Sequence, residues 1–144
     1  MSTADQGILD TSTVVMLERI ANPQLLPPEP LITTITLAEL SVGPLVAIDV
    51  TERAIRQLRL QQAEADFDPL PFDAAAARAF GRVAASLHRS GRKTGARSYD
   101  AMIAAIALAC DLPLFTCNPD DFTHIDDLDV RSVPHPDKLS GEFL

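Results

Sequence analysis

The sequence predicts an α/β domain: a parallel sheet with helices on both faces. Three observations support that reading. Short apolar or β-branched runs alternate with segments of helical period, as in successive βαβ units. Residues 100–111, DAMIAAIALACD, form a helical pattern that is apolar nearly all round, so it must be buried. Several of the short runs give way to Asp, Ser, Thr or Asn, the residues best suited to begin a helix.

In chain order, residues 7–10 (GILD) read as a first strand that stops at Asp10. A helix is expected over 12–20, with Val15, Met16 and Ile20 on one side. Residues 22–30 hold four prolines, which argues against regular structure there. LITTIT (31–36) is the second strand, and TLAELSVGPLVAI (36–48) a helix interrupted at Gly43-Pro44. Thr51 is expected to cap a helix over 51–67, in which Ala54, Ile55, Leu58 and Ala65 fall near the 3.6-residue period. PLPF (69–72) is a brief extended piece, after which Asp73 caps a helix running to about Arg89, where Ser90-Gly91 stops it. A polar loop, 92–99, leads into the buried helix, and LPLFTC (112–117) and LDVRSV (128–133) are the remaining strands. The domain is expected over 1–134, with 135–144 a poorly ordered tail.

At 144 residues the chain suits one domain, and with 47% hydrophobic but only 5% aromatic residues its core must be aliphatic. No apolar run approaches the ~20 residues that cross a bilayer. The N-terminus also lacks a basic, then apolar, leader. A cytoplasmic protein with no membrane partner is therefore expected. Cys110 and Cys117 read as small buried hydrophobes, and the scattered His88, His124 and His135 argue against a zinc site. The net charge of −8 argues against nucleic acid, but the charges are unevenly distributed. Residues 74–99 carry six bases (Arg78, Arg82, Arg89, Arg92, Lys93, Arg97) and no acid, whereas 118–129 carry five acids and no Lys or Arg. These runs are either solvated faces or a basic rim beside an acidic centre.

Right-handed crossovers bring every strand-to-helix turn to one edge of a parallel sheet, where open α/β folds bind their ligands. Asp10 ends the first strand, Glu39 follows the second, Asp100 begins the buried helix, and Asn118, Asp120 and Asp121 follow the third. Each has a plain structural alternative. Thr36 and Glu39 have capping-box spacing, and Asp10, Asp100, Asn118 and Asp120 could be simple N-caps. Gathered at one edge, however, carboxylates repel by more than about 1 kcal/mol per close pair, which a divalent cation would relieve. Oxygen-only ligands suit Mg²⁺ or Mn²⁺, and such a site can activate water against a phosphodiester. On this reading, Asp10→Asn or Asp100→Asn should leave stability unchanged or raised.

The stretches ILDTSTVV (8–15), TITLAELSVG (34–43), SYDAMIAAIA (98–107) and LFTCNPDDF (114–122) carry a resemblance, joined by LPFDAAAARAFGRV (70–83) and LHRSGRKTG (87–95). Over about residues 7–134 the chain resembles the PIN-domain ribonucleases, specifically the VapC-type toxins of bacterial type II toxin–antitoxin pairs. The resemblance implies a three-layer α/β/α, Rossmann-like fold with a central parallel sheet, and RNA cleavage dependent on Mg²⁺, with Mn²⁺ able to substitute. It also implies a VapB-type antitoxin as partner, and a homodimer is expected. Carried over by position, the catalytic acids are Asp10, Glu39, Asp100 and, at a less clean fourth position, Asp121; Asp10 and Asp100 would bind metal most directly. Asn118 would orient or contact the site through water, with Asp120 an alternative fourth residue. Thr11, Ser12 and Thr116 match small hydroxyl positions that tune the acids. Arg89, Arg92, Lys93 and Arg97 would contact RNA phosphates, and base selectivity would need single-stranded or looped RNA. The apolar faces of helices 12–20 and 51–67 are read as an antitoxin groove, a dimer seam or simply core. Two other classes compete: a catalytically inactive binding module of the same fold, and an aspartate-based phosphatase, whose second acid is missing at Ser12.

Overall fold

The computed structural model describes residues 5–92 and 98–137. Among them, four strands form one parallel sheet, β1 (Gln6–Leu9), β2 (Glu29–Leu31), β3 (Leu114–Thr116) and β4 (Val130–Ser132), in the order β2-β1-β3-β4. The helices are α1 (Thr11–Met16), α2 (Thr34–Val46), α3 (Val50–Asp66), α4 (Ala74–Arg89) and α5 (Ser98–Cys110). The chain steps from β1 outward to β2, then returns past β1 to lay down β3 on its other side. That reversal places a crevice above the C-terminal ends of β1 and β3, where this class of sheet receives ligands.

Alternation along the strands divides the core in two, giving the expected three layers. Ile8 and Leu114, paired across β1 and β3, face α4 and α5, together with Val83, Leu87, Ile103 and Ile106. Leu9 and Phe115, the next pair, face the opposite side with Ile32, just past β2, and with Val14, Leu40 and Ala63 from α1, α2 and α3. In α5, Ala101 and every residue from Ile103 to Ala107 are buried, as its uniform apolarity requires. In α4 the buried positions Ala76, Ala79, Val83 and Leu87 follow the helical period, and Asp73 caps it by accepting from the Ala76 N–H.

Several boundaries differ from those expected. The second strand lies at Glu29–Leu31, inside the proline-rich stretch, because β2 is an edge strand and an edge tolerates Pro30. The chain leaves the sheet at Ile32 and makes a single bridge between Thr33 and Leu70, which accounts for the extended piece at 69–72. Thr33, not Thr36, then caps α2, and its hydroxyl accepts from the Thr36 N–H. Asp49 rather than Thr51 caps α3. The first helix is α-helical only to Met16 and tightens to a 3₁₀ turn over Leu17–Arg19. Cys110 is exposed, contrary to expectation, because α5 runs out of its cover in its last turn; Cys117 is buried. In α3 the apolar stripe is largely uncovered: Ile55 and Leu58 are 47% and 55% exposed, and Ala63 is the buried residue.

Helix α4 ends where Ser90-Gly91 was expected to stop it. Gly91 takes φ +80°, its N–H bonds the His88 carbonyl, and the Arg92 N–H reaches back to Leu87, the paired bonds of a Schellman cap. Gly81, on the exposed face of the same helix, lies at a right-handed position with nothing within 4 Å of an added Cβ, and Gly91 has the same open space. The two glycines therefore separate backbone conformation from crowding. Gly81→Ala should stabilise the protein by about 0.5–1 kcal/mol and Gly91→Ala should destabilise it by about 1 kcal/mol, read from urea midpoints.

Candidate functional site

The first turn after β1 gathers its polar side chains on one carboxylate. Asp10 is 3% exposed and caps α1, its Oδ1 accepting from the Thr13 N–H at 3.0 Å. One such bond would suffice for a cap. Three hydroxyls also donate to it: Thr13 to Oδ1 at 2.6 Å, Thr116 to Oδ2 at 2.7 Å, and Ser12 to both oxygens at 3.0 and 2.9 Å. Thr116 can do so because the sheet order sets β3 beside β1, with the Asp10 N–H bonded to the Phe115 carbonyl. Two of the three hydroxyls are themselves anchored. Thr13 Oγ1 accepts from the Cys117 N–H at 3.0 Å and Thr116 Oγ1 from the Asn118 N–H at 2.9 Å.

Thr11 points the other way. Its hydroxyl donates to Glu39 Oε1 at 2.7 Å and lies 2.9 Å from the Thr36 hydroxyl, so α1 and α2 are joined by a hydroxyl–carboxylate link. With the cap at Thr33, Glu39 stands in the second turn of α2 and plays no capping role, which removes its plain structural reading. Its carboxyl is raised above the ordinary 4.5, first by burial and further by the negative charge of Asp10, while the bond from Thr11 works against both. Asp10 and Glu39 thus share one electrostatic environment at the ends of β1 and β2.

The other expected residues stand at the start of α5 and in the turn that follows β3. Asp100 is half-buried in the first turn of α5, where the helix N-terminus favours an anion, and α5 packs against α2, the helix that carries Glu39. It is not an N-cap, since α5 already begins at Ser98. Asp121 is half-buried at the end of a 3₁₀ turn, Pro119–Asp121, directly after β3; Asp120, in the same turn, is exposed. Arg92 leans onto that turn, its guanidinium donating to the Asp120 carbonyl at 3.3 Å, so the basic run does meet the acidic run. Arg89 meets the same acidic run further along, ion-paired with Asp126. Lys93 and Arg97 lie outside the described residues. Among the described residues, no three His, Cys, Asp or Glu side chains are grouped as a ready-made metal cage. What the donor chemistry does offer is oxygen throughout: two carboxylates sharing a negative field and three hydroxyls. That set fits a hard divalent cation of the Mg²⁺ or Mn²⁺ type and gives a soft metal nothing to hold.

The residue that the sequence reading missed is Thr13. It is fully buried and makes the shortest bond to Asp10, yet a threonine three residues past an N-cap carries no signal of its own. Beyond the acids, a cleft of about 390 Å³ opens between α1 and α3, lined by Val14, Val15, Leu17, Ile55, Leu58 and Phe67 among others.

Comparison with known proteins agrees with this architecture. The family model for the PIN domain matches residues 8–128. Ribonuclease VapC5 of Mycobacterium tuberculosis is 39% identical over 127 residues, covering 87% of this chain and 91% of that protein. The crystal structure of VapBC-5, a member of the VapBC family of toxin–antitoxin systems from the same organism, matches at 38% identity with a TM-score of 0.74, over 90% of this chain and 98% of that one. DNA-bound VapBC from Salmonella typhimurium matches at 26% identity with a TM-score of 0.70, over 88% and 97% of the two chains.

The two carboxylates should respond oppositely to neutralisation. A carboxyl whose folded pKa is raised contributes stability below its unfolded value and loses it as pH rises through the folded one. Glu39→Gln, which keeps an acceptor for Thr11, should therefore raise the Tm of metal-free protein at pH 7, with the gain vanishing below pH 4.5. At Asp10 the donors overturn the expectation of unchanged or raised stability: Asp10→Asn places an NH₂ against hydroxyls aimed at an acceptor and should cost about 1–3 kcal/mol. Thermal melts of both variants from pH 4 to 8 check the pair.

Proposed function

The chain belongs to the PIN-domain family, and from that premise we propose that it is the ribonuclease toxin of a type II toxin–antitoxin pair. Its reaction is hydrolysis of RNA phosphodiester bonds at the acidic crevice above β1 and β3. The observation that carries this reading is the 39% identity to a ribonuclease VapC across nearly the whole chain. The position of a buried, hydroxyl-bound Asp10 at the chain's reversal point supports it.

In this reading Asp10 and Asp100 hold Mg²⁺, or Mn²⁺ in its place. The bound ion supplies a water of lowered pKa and offsets the negative charge that develops on the phosphoryl oxygens. Thr13 and Thr116 fix the plane of the Asp10 carboxylate so that it meets its ligand without rearrangement. Glu39 is the proton acceptor. Thr11 occupies its Oε1, leaving Oε2 without a hydrogen bond among the described residues, and burial has already raised its affinity for a proton. The water oxygen would bond to phosphorus as its proton passes to Glu39 Oε2, and the bond from phosphorus to one ribose oxygen would break, the leaving oxygen keeping the electron pair and taking a proton from solvent. Asp121 completes the acidic set and Asn118 orients the water. Arg92, beside the turn after β3, contacts the substrate phosphates together with Lys93 and Arg97; Arg89 joins them only by exchanging Asp126 for a phosphate.

The partner is a VapB-type antitoxin. Its apolar segment seats in the cleft between α1 and α3, where Ile55 and Leu58 stand exposed. The corner between α2 and α3 exposes Leu45, Val46, Ile48 and Val50, surface that a homodimer would cover.

Purified protein should cleave RNA in Mg²⁺ and not after chelation, and Asp10→Asn or Asp100→Asn should each lower the rate at least about a hundredfold. Wild-type rates in either variant, or cleavage unaffected by chelator, would falsify the mechanism and return the chain to the inactive-module reading. Leu58→Asp should weaken binding of a VapB-type antitoxin about thirtyfold while leaving RNA cleavage intact. Unchanged affinity by calorimetry would move the antitoxin elsewhere.

A further inference from the structure

We propose that the Ser12 hydroxyl is a displaceable plug on the metal-facing side of Asp10, holding the carboxylate satisfied until an ion replaces it. The inference rests on the carboxylate–metal reading above and concerns how that site is loaded. Ser12 Oγ lies 3.0 Å from Oδ1 and 2.9 Å from Oδ2, astride the two oxygens on the side from which a carboxylate chelates a cation. Thr13 and Thr116 instead approach one oxygen each.

The three hydroxyls also differ in their freedom to move. Thr13 and Thr116 are fully buried and bonded at both ends, donating to Asp10 and accepting from the Cys117 and Asn118 amides. Rotating either would strand a backbone N–H. Ser12 is only half-buried, and among the described residues its hydroxyl bonds to nothing but Asp10. A turn about its χ1 would carry it toward solvent at the cost of one shared hydrogen bond. The division of labour follows: the two threonines orient the carboxylate, and the serine neutralises it and yields. Ion binding is then a competition, and the serine weakens it.

The test is Mn²⁺ titration of metal-free protein followed by electron paramagnetic resonance, with Tm measured with and without Mn²⁺. Ser12→Ala should bind Mn²⁺ about three- to tenfold tighter than wild type, the worth of one ordinary hydrogen bond. Its metal-free Tm should fall and its Mn²⁺-induced rise should grow. Ser12→Gly should shift affinity in the same direction, so the result does not hang on one variant. A purely structural serine would lower both quantities or neither. Affinity equal to or weaker than wild type in both variants overturns the plug while leaving the metal site standing. A folded wild type that takes up no Mn²⁺ at millimolar concentration overturns the metal reading and the plug together.

Discussion

A buried carboxylate must be surrounded by donors, and here that requirement organises the centre of the molecule. An ionised group taken out of water costs several kcal/mol unless every oxygen is engaged. Around Asp10, four consecutive residues each have a separate task. Asp10 accepts, Thr11 turns away to join Glu39, Ser12 covers both oxygens, and Thr13 locks one of them to the backbone of the neighbouring strand end. Thr116 can contribute only because the chain passes back across β1 before laying down β3. The strand order and the satisfaction of one side chain are thus parts of the same solution, and a sheet wound in another order would leave Asp10 short of a donor.

Much of this was legible in the sequence, and the parts that were not have identifiable causes. The buried helix α5, the cap at Asp73 and the stop at Gly91 follow from local rules, because uniform apolarity, an N-cap and an αL glycine act within a few residues. The second strand was displaced by several residues, because β propensity in LITTIT competes with a contact that no local rule reveals. Thr33 bridges to Leu70, thirty-seven positions away, and that contact turns the chain into a helix early. The same shift decided the reading of Glu39, which fits a capping box by spacing and is released from one by the true cap at Thr33. Position along the chain identified the acids. The hydroxyl network among them depends on side-chain directions that appear only when β1 and β3 lie together.

Helix α3 illustrates the opposite case, in which a clear pattern has more than one meaning. Its apolar stripe is real, but the sheet is already covered on that side by α1 and α2, so most of the stripe remains in solvent. Periodicity tells which face is apolar and not what lies against it. The protein therefore retains, outside its own two cores, a further set of hydrophobic side chains next to a polar crevice. A partner that filled the cleft would approach the acids from α1, whose first turn already holds Asp10 and Glu39 together.

The exposed end of α5 has a practical use. Asp100 stands in its first turn and Cys110 in its last, about 15 Å apart along the axis. Cys117, the other thiol, is sealed in the interior. Partial burial and the nearby charge of Asp73 raise the Cys110 thiol, so maleimide coupling is best run on the alkaline side of neutrality. A single fluorophore or spin label could then be attached to the unmodified protein, on the same rigid rod as one of the acids yet clear of them, to report distances as the crevice fills.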